Sequence, residues 1–291
     1  MTTATEPAAA PSTRGQLPPL LSLALVAPLL LLLGWAYFLP ILRLLAQSIT
    51  EPSLGFSHYA RLWAEPLYSQ VFFRTIWIAL LCTIFALLLG YPVAMLMARH
   101  GGRIALVAAA CVMVPLWTSV LVRSYAWIML LERNGIINNW LMGTGITSQP
   151  LRMLYTEGAV LMAMTHVLLP FMVLPIASAL RSLPPDLPRA ALNLGAGRIR
   201  TFWSVTLPLS LPGVFAGCLI VFVMALGFYI TPALLGGPRT LMIATLISQQ
   251  AIELLNWPFA GAISFVLLVL SLGITLLFKR LLNVERVVAH D

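Results

Sequence analysis

Long apolar runs without charge alternate with short charged segments along the whole chain. Six windows contain no Asp, Glu, Lys or Arg and come close to or exceed the roughly 20 residues that cross a bilayer: residues 15–42, 75–98, 104–122, 158–180, 201–238 and 254–278. This pattern predicts an all-α polytopic membrane protein with six transmembrane helices. A further window of 13 residues, 240–252, is too short to cross and predicts a short amphipathic helix outside the membrane.

Two of these windows need adjusted boundaries. The third reaches a single charge at Arg123, and we expect its helix to continue to about Leu131. The fifth is too long for one span, and Pro208 and Pro212 favour an interruption of any helix within it. We therefore expect the fifth span to begin near Leu211.

Composition supports a membrane protein with a single domain. Hydrophobic residues make up 60% and charged residues 9% of the 291 residues, with a mean hydropathy of +0.95. Soluble domains carry about 25% charged residues, so this chain belongs to another class. The formal net charge of +8 indicates basic loops beside the lipid rather than a nucleic-acid partner, because no soluble basic run is interleaved with aromatic residues.

The basic residues also predict the orientation. If six spans place both termini on one side, that side carries ten Lys or Arg residues and the opposite side six. Cytosolic loops are enriched in Lys and Arg, so both termini are predicted to be cytosolic. We expect a disordered cytosolic tail at 1–18, a transmembrane domain at 19–283 and a cytosolic C-terminal tail at 284–291.

No catalytic motif is present in the sequence. There is no Gly-x-x-x-x-Gly-Lys-Ser/Thr loop to bind ATP phosphates and no His-Glu-x-x-His or Gly-x-Ser-x-Gly. The three cysteines lie in apolar runs without metal-ligand spacing, and they are expected to be small core residues. We therefore expect a protein that is not an enzyme and has no catalytic residues, metal site or cofactor, so any energy from ATP must come from another subunit.

A few polar and aromatic residues in the spans are candidates for lining a solute pathway. Ser119, Arg123 and Trp127 recur every four residues and so share one helix face. A charge within a span usually faces the bundle interior or a watery cavity. The alternative is that Arg123 reaches towards the membrane surface or pairs with Glu132 or Glu157.

Two further pathway candidates have simple structural alternatives. His166 is deep in a span, where a lone histidine is more often packed and hydrogen-bonded than in contact with solute. Tyr229 lies where Gly227 and Pro232 favour a broken helix, which is tolerated where it lines a cavity. An aromatic ring there can hold a cation, or it can belong to the aromatic belt of the interface.

The segment 189–213 is a charged, turn-rich stretch between two apolar runs. Asp186 is predicted as the N-cap of a short helix, Pro188 suits its first turn, and Gly195 suits its end. An apolar stripe of mostly small side chains recurs at helical spacing: Leu187, Ala190, Ala191 and Leu194. Small side chains allow a close approach, so this helix is expected to fit a groove on a partner.

This segment resembles the signature loop of inner-membrane subunits of binding-protein-dependent ABC importers. That loop reads Glu-Ala-Ala, three residues, Gly, then a spaced aromatic, Val, Leu-Pro-Leu and Pro-Gly. The matching residues here are Ala190, Ala191, Gly195, Ala196, Phe202, Val205, Leu207, Pro208, Leu209, Pro212 and Gly213. Arg189 stands where the family commonly has Glu, which raises the question of which charge on an ATPase faces this position.

The resemblance implies the partners and mechanism of the protein. It implies two ATPase subunits, a second permease subunit and an extracytoplasmic solute-binding protein, with the spans in contact with membrane lipid. The short cytosolic helix between spans 4 and 5 would couple ATP hydrolysis to transport, through Arg189, Ala190, Ala191, Leu194, Gly195 and Ala196. Arg189 itself is expected to meet an acidic residue of the ATPase.

Three other segments are similar to permeases of the spermidine/putrescine type. They are Gly90–Ala94, the stretch 122–127 with Gly135 and Asn138, and Leu234–Gly237 with 256–258. The resemblance implies a polyamine or a related small solute. The alternative is a self-contained secondary transporter, which would need coupling carboxylates deep in the spans, and none stands there.

Overall fold

The computed structural model describes residues 19–51 and 54–288, and these residues are almost entirely helical, without a β-strand. The α-helices are α1 (Pro19–Leu33), α2 (Leu39–Thr50), α3 (Ser57–Ala64), α4 (Pro66–Arg99), α5 (Gly102–Trp117), α6 (Val120–Leu131), α7 (Ile136–Gly143), α8 (Glu157–Ser182), α9 (Asp186–Asn193), α10 (Arg198–Thr201), α11 (Leu207–Leu226), α12 (Ile230–Leu235), α13 (Ile243–Ser248) and α14 (Trp257–Val288). Single π-helical turns occur at Gly34–Phe38, Phe202–Thr206 and Gln249–Glu253, and a 3₁₀ turn at Pro238–Thr240. The all-α prediction is confirmed.

Five helical stretches in the described residues are long and apolar enough to cross a membrane. They are Ala24–Thr50, Pro66–Arg99, Glu157–Ser182, Arg198–Leu226 and Trp257–Arg280. A sixth crossing is obtained if Gly102–Trp117 and Val120–Gly143 are counted together. The described residues thus contain five helices of sufficient length, and the predicted number of six is reached when the broken pair counts as one span.

The third span is not the continuous helix that its hydrophobic pattern predicted. Its two halves meet at an angle of 104°. Thr118 and Ser119 are both extended, with ψ near 140°. The Thr118 backbone N–H and hydroxyl both donate to the carbonyl oxygen of Pro115, at 3.3 and 2.9 Å. These bonds close the end of α5, and Ser119 becomes the residue that precedes α6.

The fifth span begins at Arg198, earlier than the predicted start near Leu211. Pro208 lies in the first turn of α11, where a missing N–H costs little. The π-helical turn before it carries the chain into α11, because the Leu207 N–H donates to the carbonyl oxygen of Phe202. Pro212 lies inside α11 without ending it, so the proline interruption that the sequence predicted does not occur.

The core is formed by α4, α8 and α11. Two glycines of α11 lie in close contact with α8. A Cβ at Gly213 would lie 2.5 Å from the Ala179 Cβ, and one at Gly217 would lie 2.9 Å from the Met172 Sδ. Such contacts leave no space for a larger side chain, so glycine sets the distance between these helices.

A second cluster joins α3, α4, α13 and α14. Ile243 and Leu246 of α13 are buried with Phe259 and Ile263 of α14. The window 240–252 therefore forms a short helix, as predicted, and this helix packs its apolar side into the protein. Cys82 is buried and Cys218 half-buried, whereas Cys111 is exposed and is not the core residue that the sequence predicted.

The predicted terminal tails are only partly covered by the structure. Residues 1–18 lie outside the described residues. At the other end α14 continues to Val288, so the first part of the predicted tail 284–291 is helical. Residues 289–291 lie outside the described part of the chain.

Candidate functional site

Helix α9 joins the core helices α8 and α11 through a short connection. It starts directly after Pro184 and Pro185, and Pro185 has the helical φ and ψ of −65° and −17° at the N-cap position. Asp186 is therefore the first helical residue rather than the predicted N-cap, because the proline has already fixed the backbone. Its carboxylate still lies in the first turn, where the helix dipole favours a negative charge.

The end of α9 is closed by Gly195, as the sequence predicted. Gly195 has a φ of +85°, a left-handed conformation that glycine adopts without a Cβ clash. The Gly195 N–H donates to the Leu192 carbonyl oxygen and the Ala196 N–H to that of Ala191, both at 3.0 Å. This pair of bonds is a Schellman motif, which fixes the direction in which the chain leaves the helix.

The apolar stripe of α9 is only partly covered by the rest of the chain. Leu187 is 45% exposed and Leu194 is 88% exposed, while Ala190 is exposed and Ala191 half-buried. Nearby, Ile199 and Trp203 are also exposed. Several large apolar side chains on and beside α9 are therefore exposed to solvent.

Arg189 makes an ion pair within α9. Its Nη1 lies 3.6 Å from Oδ1 of Asp186, and both side chains are largely exposed. A pair of this kind contributes less than about 1 kcal/mol. It lets an arginine occupy the first turn of the helix, where the dipole alone disfavours a cation.

The bundle end next to α9 is held together by polar contacts that the sequence did not predict. Arg99 donates from Nη2 to the Thr206 hydroxyl at 2.6 Å, and Arg181 from Nη2 to the Met97 carbonyl oxygen at 3.3 Å. The sequence offered one signal for these contacts, because both arginines stand at the ends of predicted spans. These bonds link the end of α4 to the end of α8 and to the chain just before α11.

The two motifs that carry the family resemblance meet in the fold. The hydroxyls of Tyr91 and Ser210 lie 2.9 Å apart in the buried interior. The Tyr91 ring also packs edge-on against Phe202, with centroids 5.6 Å apart. The segment that begins at Gly90 thus contacts the signature loop directly.

Arg123 lies one turn into α6, after the break in the third span. Its backbone N–H donates to the Ser119 carbonyl oxygen at 3.1 Å. The Nε and Nη1 atoms of Arg123 are buried and have no hydrogen-bond partner among the described residues. Buried donors without acceptors are uncommon in native proteins, so this guanidinium stands out among the pathway candidates.

The predicted alternative partners of Arg123 are not found. Glu157 pairs instead with Arg74, with Oε1 and Nε 3.0 Å apart. None of the ion pairs among the described residues joins Arg123 to Glu132. Separately, Ser124, the residue after Arg123, connects α6 to α12 through its hydroxyl, 3.0 Å from that of Thr231.

Trp127 and His166 form a hydrogen-bonded pair. The Trp127 indole N–H donates to His166 Nδ1 at 3.3 Å, and the two rings pack edge-on with centroids 5.9 Å apart. Both residues line a mainly apolar cavity of about 320 Å³ between α4, α6 and α8. His166 is thus hydrogen-bonded, as its alternative interpretation predicted, and lies at the wall of a cavity; its contact with a solute stays a prediction.

Tyr229 lies apart from this pair. Helix α11 ends at Leu226, and α12 starts at Ile230 after a short break. Tyr229 is 45% exposed in this break and lines a different cavity of about 270 Å³. The five pathway candidates therefore fall into three places: Ser119 at the helix break, Arg123 with Trp127 and His166, and Tyr229 at the α11–α12 break.

A bundle of apolar spans with an exposed, glycine-capped helix between two core helices fits a membrane transport subunit. The sequence matches the family described as "Binding-protein-dependent transport system inner membrane component" over residues 90–283. The chain belongs to this family. It is a multi-pass inner-membrane permease subunit of an ABC importer.

Two relatives illustrate how far the similarity extends. The chain is 34% identical over 267 residues to the spermidine/putrescine transport system permease protein PotB of Escherichia coli (strain K12), which covers 87% of this chain and 96% of PotB. It is 33% identical over 284 residues to the inner membrane ABC transporter permease protein YdcU of the same strain, covering 90% and 89% of the two chains.

The fold is also similar to solved ABC transporters. One is a bacterial ABC transporter involved in import of the acidic polysaccharide alginate, with a TM-score of 0.75 at 19% identity, covering 90% of this chain and 94% of that chain. Another is the MetNI methionine ABC transporter in an inward-facing conformation, with a TM-score of 0.57 at 19% identity, covering 76% and 98%. At this identity the likeness shows the fold alone.

Proposed function

We propose that this permease subunit carries a polyamine or a closely related amine. Its identity of 34–36% to several PotB proteins, which are named spermidine/putrescine transport system permease proteins, supports this substrate class. The solute would be delivered by an extracytoplasmic binding protein. A second permease subunit, identical or homologous, would complete the pathway.

We further propose that α9 is the coupling helix that docks on a separate ATPase subunit. The exposed apolar stripe of α9, closed by the Schellman motif at Gly195, is the observation that carries this proposal. A helix held at both ends by core helices can transmit a change in its partner to the spans, so two ATPase states would favour two arrangements of the bundle. Arg189, Ala190, Ala191, Leu194, Gly195 and Ala196 would form this contact.

The proposed orientation places α9 and both termini in the cytosol. The count of ten basic residues against six supports it. In this orientation residues 1–18 form a cytosolic tail, 19–283 the transmembrane domain and 284–291 a cytosolic extension. The proposed pathway residues are Ser119, Arg123, Trp127, His166 and Tyr229.

Reconstitution of the complete transporter tests the function. The permease, its partner permease, the ATPase and the binding protein would be placed in liposomes with ATP inside, and uptake of labelled putrescine and spermidine would be measured. We expect uptake that requires both the binding protein and ATP. Uptake of a different solute class with no polyamine uptake would contradict the proposed substrate.

Arg123→Ala is expected to lower transport about tenfold without lowering the amount of assembled transporter. The two buried donors of Arg123 lack partners and so contribute no stability to the isolated subunit. Initial uptake rate per assembled complex is the measurement. Arg133→Ala, which removes an exposed cation just beyond α6, is the control, and a loss of uptake explained entirely by reduced assembly would contradict the pathway role.

Arg189→Glu is expected to weaken coupling to the ATPase about two- to fivefold, the range of an exposed ion pair. The mutation would place a carboxylate opposite the acidic ATPase residue that we propose as the partner of Arg189. High salt should reduce the difference in coupling between this variant and the unaltered protein, because exposed charges are screened. Stimulation of ATP hydrolysis by the loaded binding protein would be measured across salt concentrations. Arg200→Glu, the same charge change outside α9, is the control, and equal stimulation at every salt would contradict the proposal.

A further inference from the structure

The break between α11 and α12 opens onto a cleft that has both polar and apolar walls. Tyr229, Thr245, Ser248, Gln249 and Glu253 are among the residues that line it, and its volume is about 270 Å³. Sites for small molecules commonly have volumes of about 300–1,000 Å³, so the cleft suits a small ligand or one end of a longer one. Among the lining residues that the structure describes, Glu253 carries the only charge.

The aromatic wall of the cleft is held in place by a hydrogen bond. The Ser248 hydroxyl donates to the Tyr229 hydroxyl oxygen at 3.2 Å. This bond fixes the far end of a ring that is 45% exposed. A fixed, exposed aromatic ring near a carboxylate is the pair of groups that attracts an alkyl ammonium ion, through the ring face and through a charge-assisted hydrogen bond.

The backbone that carries Glu253 beside the cleft is irregular. Gln249–Glu253 form a π-helical turn, in which the Leu254 N–H donates to the Gln249 carbonyl oxygen at 3.0 Å. Leu255 follows with a φ of +51°, a conformation that leucine rarely adopts. π-Turns and strained residues cluster at functional sites, where they hold side chains in positions that a regular helix would not.

We propose that this cleft binds a primary ammonium group of the transported solute, with Glu253 as its counter-ion and the Tyr229 ring as its wall. Thr245 is already engaged, because its hydroxyl donates to the Met242 carbonyl oxygen and accepts from the Met242 N–H. Gln249 and Ser248 are the further polar side chains of the cleft that can accept from the ammonium group. The inference rests on the proposed function, since it assigns a binding site to the amine that the transporter is proposed to carry.

Glu253→Gln tests the charge at nearly constant shape. In the reconstituted transporter we expect the maximal rate of putrescine uptake to fall about tenfold, because a charge-assisted hydrogen bond is lost. The concentration of loaded binding protein that gives half-maximal uptake should not change. Glu51→Gln, which removes another exposed carboxylate, at the end of α2, is the matched control and should leave both values unchanged.

The ring is tested by two substitutions at one position. Tyr229→Phe keeps the ring but removes the hydroxyl that fixes it, so it should retain more uptake than Tyr229→Leu, which should lose about as much as Glu253→Gln. If Tyr229→Leu takes up putrescine as fast as the unaltered transporter, the ring does not hold the ammonium group and the proposed cation contact is wrong.

The outcomes separate this inference from the proposed function. If the unaltered transporter carries no polyamine, the proposed function has failed and the inference fails with it. If it carries polyamine and Glu253→Gln carries it equally fast, only the inference has failed. If Glu253→Gln raises the half-maximal concentration of binding protein and leaves the maximal rate intact, the cleft contacts the binding protein and the inference is likewise overturned.

Discussion

Gly213→Ala is expected to force α11 away from α8 and to destabilise the assembled transporter by about 3 kcal/mol. The added Cβ would lie 2.5 Å from the Ala179 Cβ and 2.7 Å from the carbonyl oxygen of Pro175. The Pro175 oxygen belongs to the backbone of α8, so a side-chain rotation cannot relieve the overlap. The thermal midpoint of the detergent-solubilised complex is the measurement.

The matched control for this prediction is Gly273→Ala in α14. A Cβ at Gly273 would meet no atom within 4 Å, and alanine favours helix over glycine by about 1 kcal/mol. We therefore expect Gly273→Ala to leave the thermal midpoint unchanged or slightly raised. If the two variants have the same midpoint, Gly213 does not set the distance between α8 and α11.

Ala190→Leu is expected to leave the permease inserted and assembled but to lower transport per ATP hydrolysed about tenfold or more. Ala190 is exposed on the apolar stripe of α9, so the added side chain meets little within this chain and acts on a docked partner. Close-packed contacts between small residues do not accept added volume without strain. Uptake and ATP hydrolysis would be measured on the same liposomes.

Leu192→Trp provides the control for this second prediction. Leu192 lies on the opposite side of α9 from the apolar stripe and is 45% exposed. The tryptophan adds volume to the same helix away from the proposed docking face. If it uncouples transport as strongly as Ala190→Leu, α9 is sensitive to any added bulk and the stripe is not a specific contact.

Much of the fold could be predicted because a bilayer constrains composition strongly. The charge-free windows locate the spans, since a helix in lipid must be apolar over about 20 residues. The third span was predicted wrongly because the break at Thr118 and Ser119 interrupts the helix without a charge or a glycine. The hydrophobic pattern therefore continues across a point where the helix itself ends.

The end of α9 was easier to predict than its beginning. Gly195 was identified because a left-handed residue after a helix is nearly always glycine. At the other end Pro185 and Asp186 both suit the start of a helix, and a difference of one residue changes which of them is the cap. Helix boundaries are decided by such local details, which depend on the path of the backbone between α8 and α9.

The contacts of the pathway candidates could not be predicted from spacing. Trp127 and His166 are 39 residues apart, and their pairing depends on how α6 packs on α8. Glu253 was not singled out because it lies in a polar stretch after a short helix, where a carboxylate is ordinary. Only the placement of α12 beside the π-helical turn brings it near Tyr229.

The break between α5 and α6 also affects how the chain is made. The helices have 16 and 12 residues, about 24 and 18 Å at 1.5 Å per residue, so neither crosses a hydrocarbon core of about 30 Å. The α12 partner of α6, bonded through Ser124 and Thr231, lies 107 residues later in the sequence. The hydrogen bond that joins α6 to α12 can therefore form only after most of the protein has been translated. A chain that ends before α12 lacks this contact.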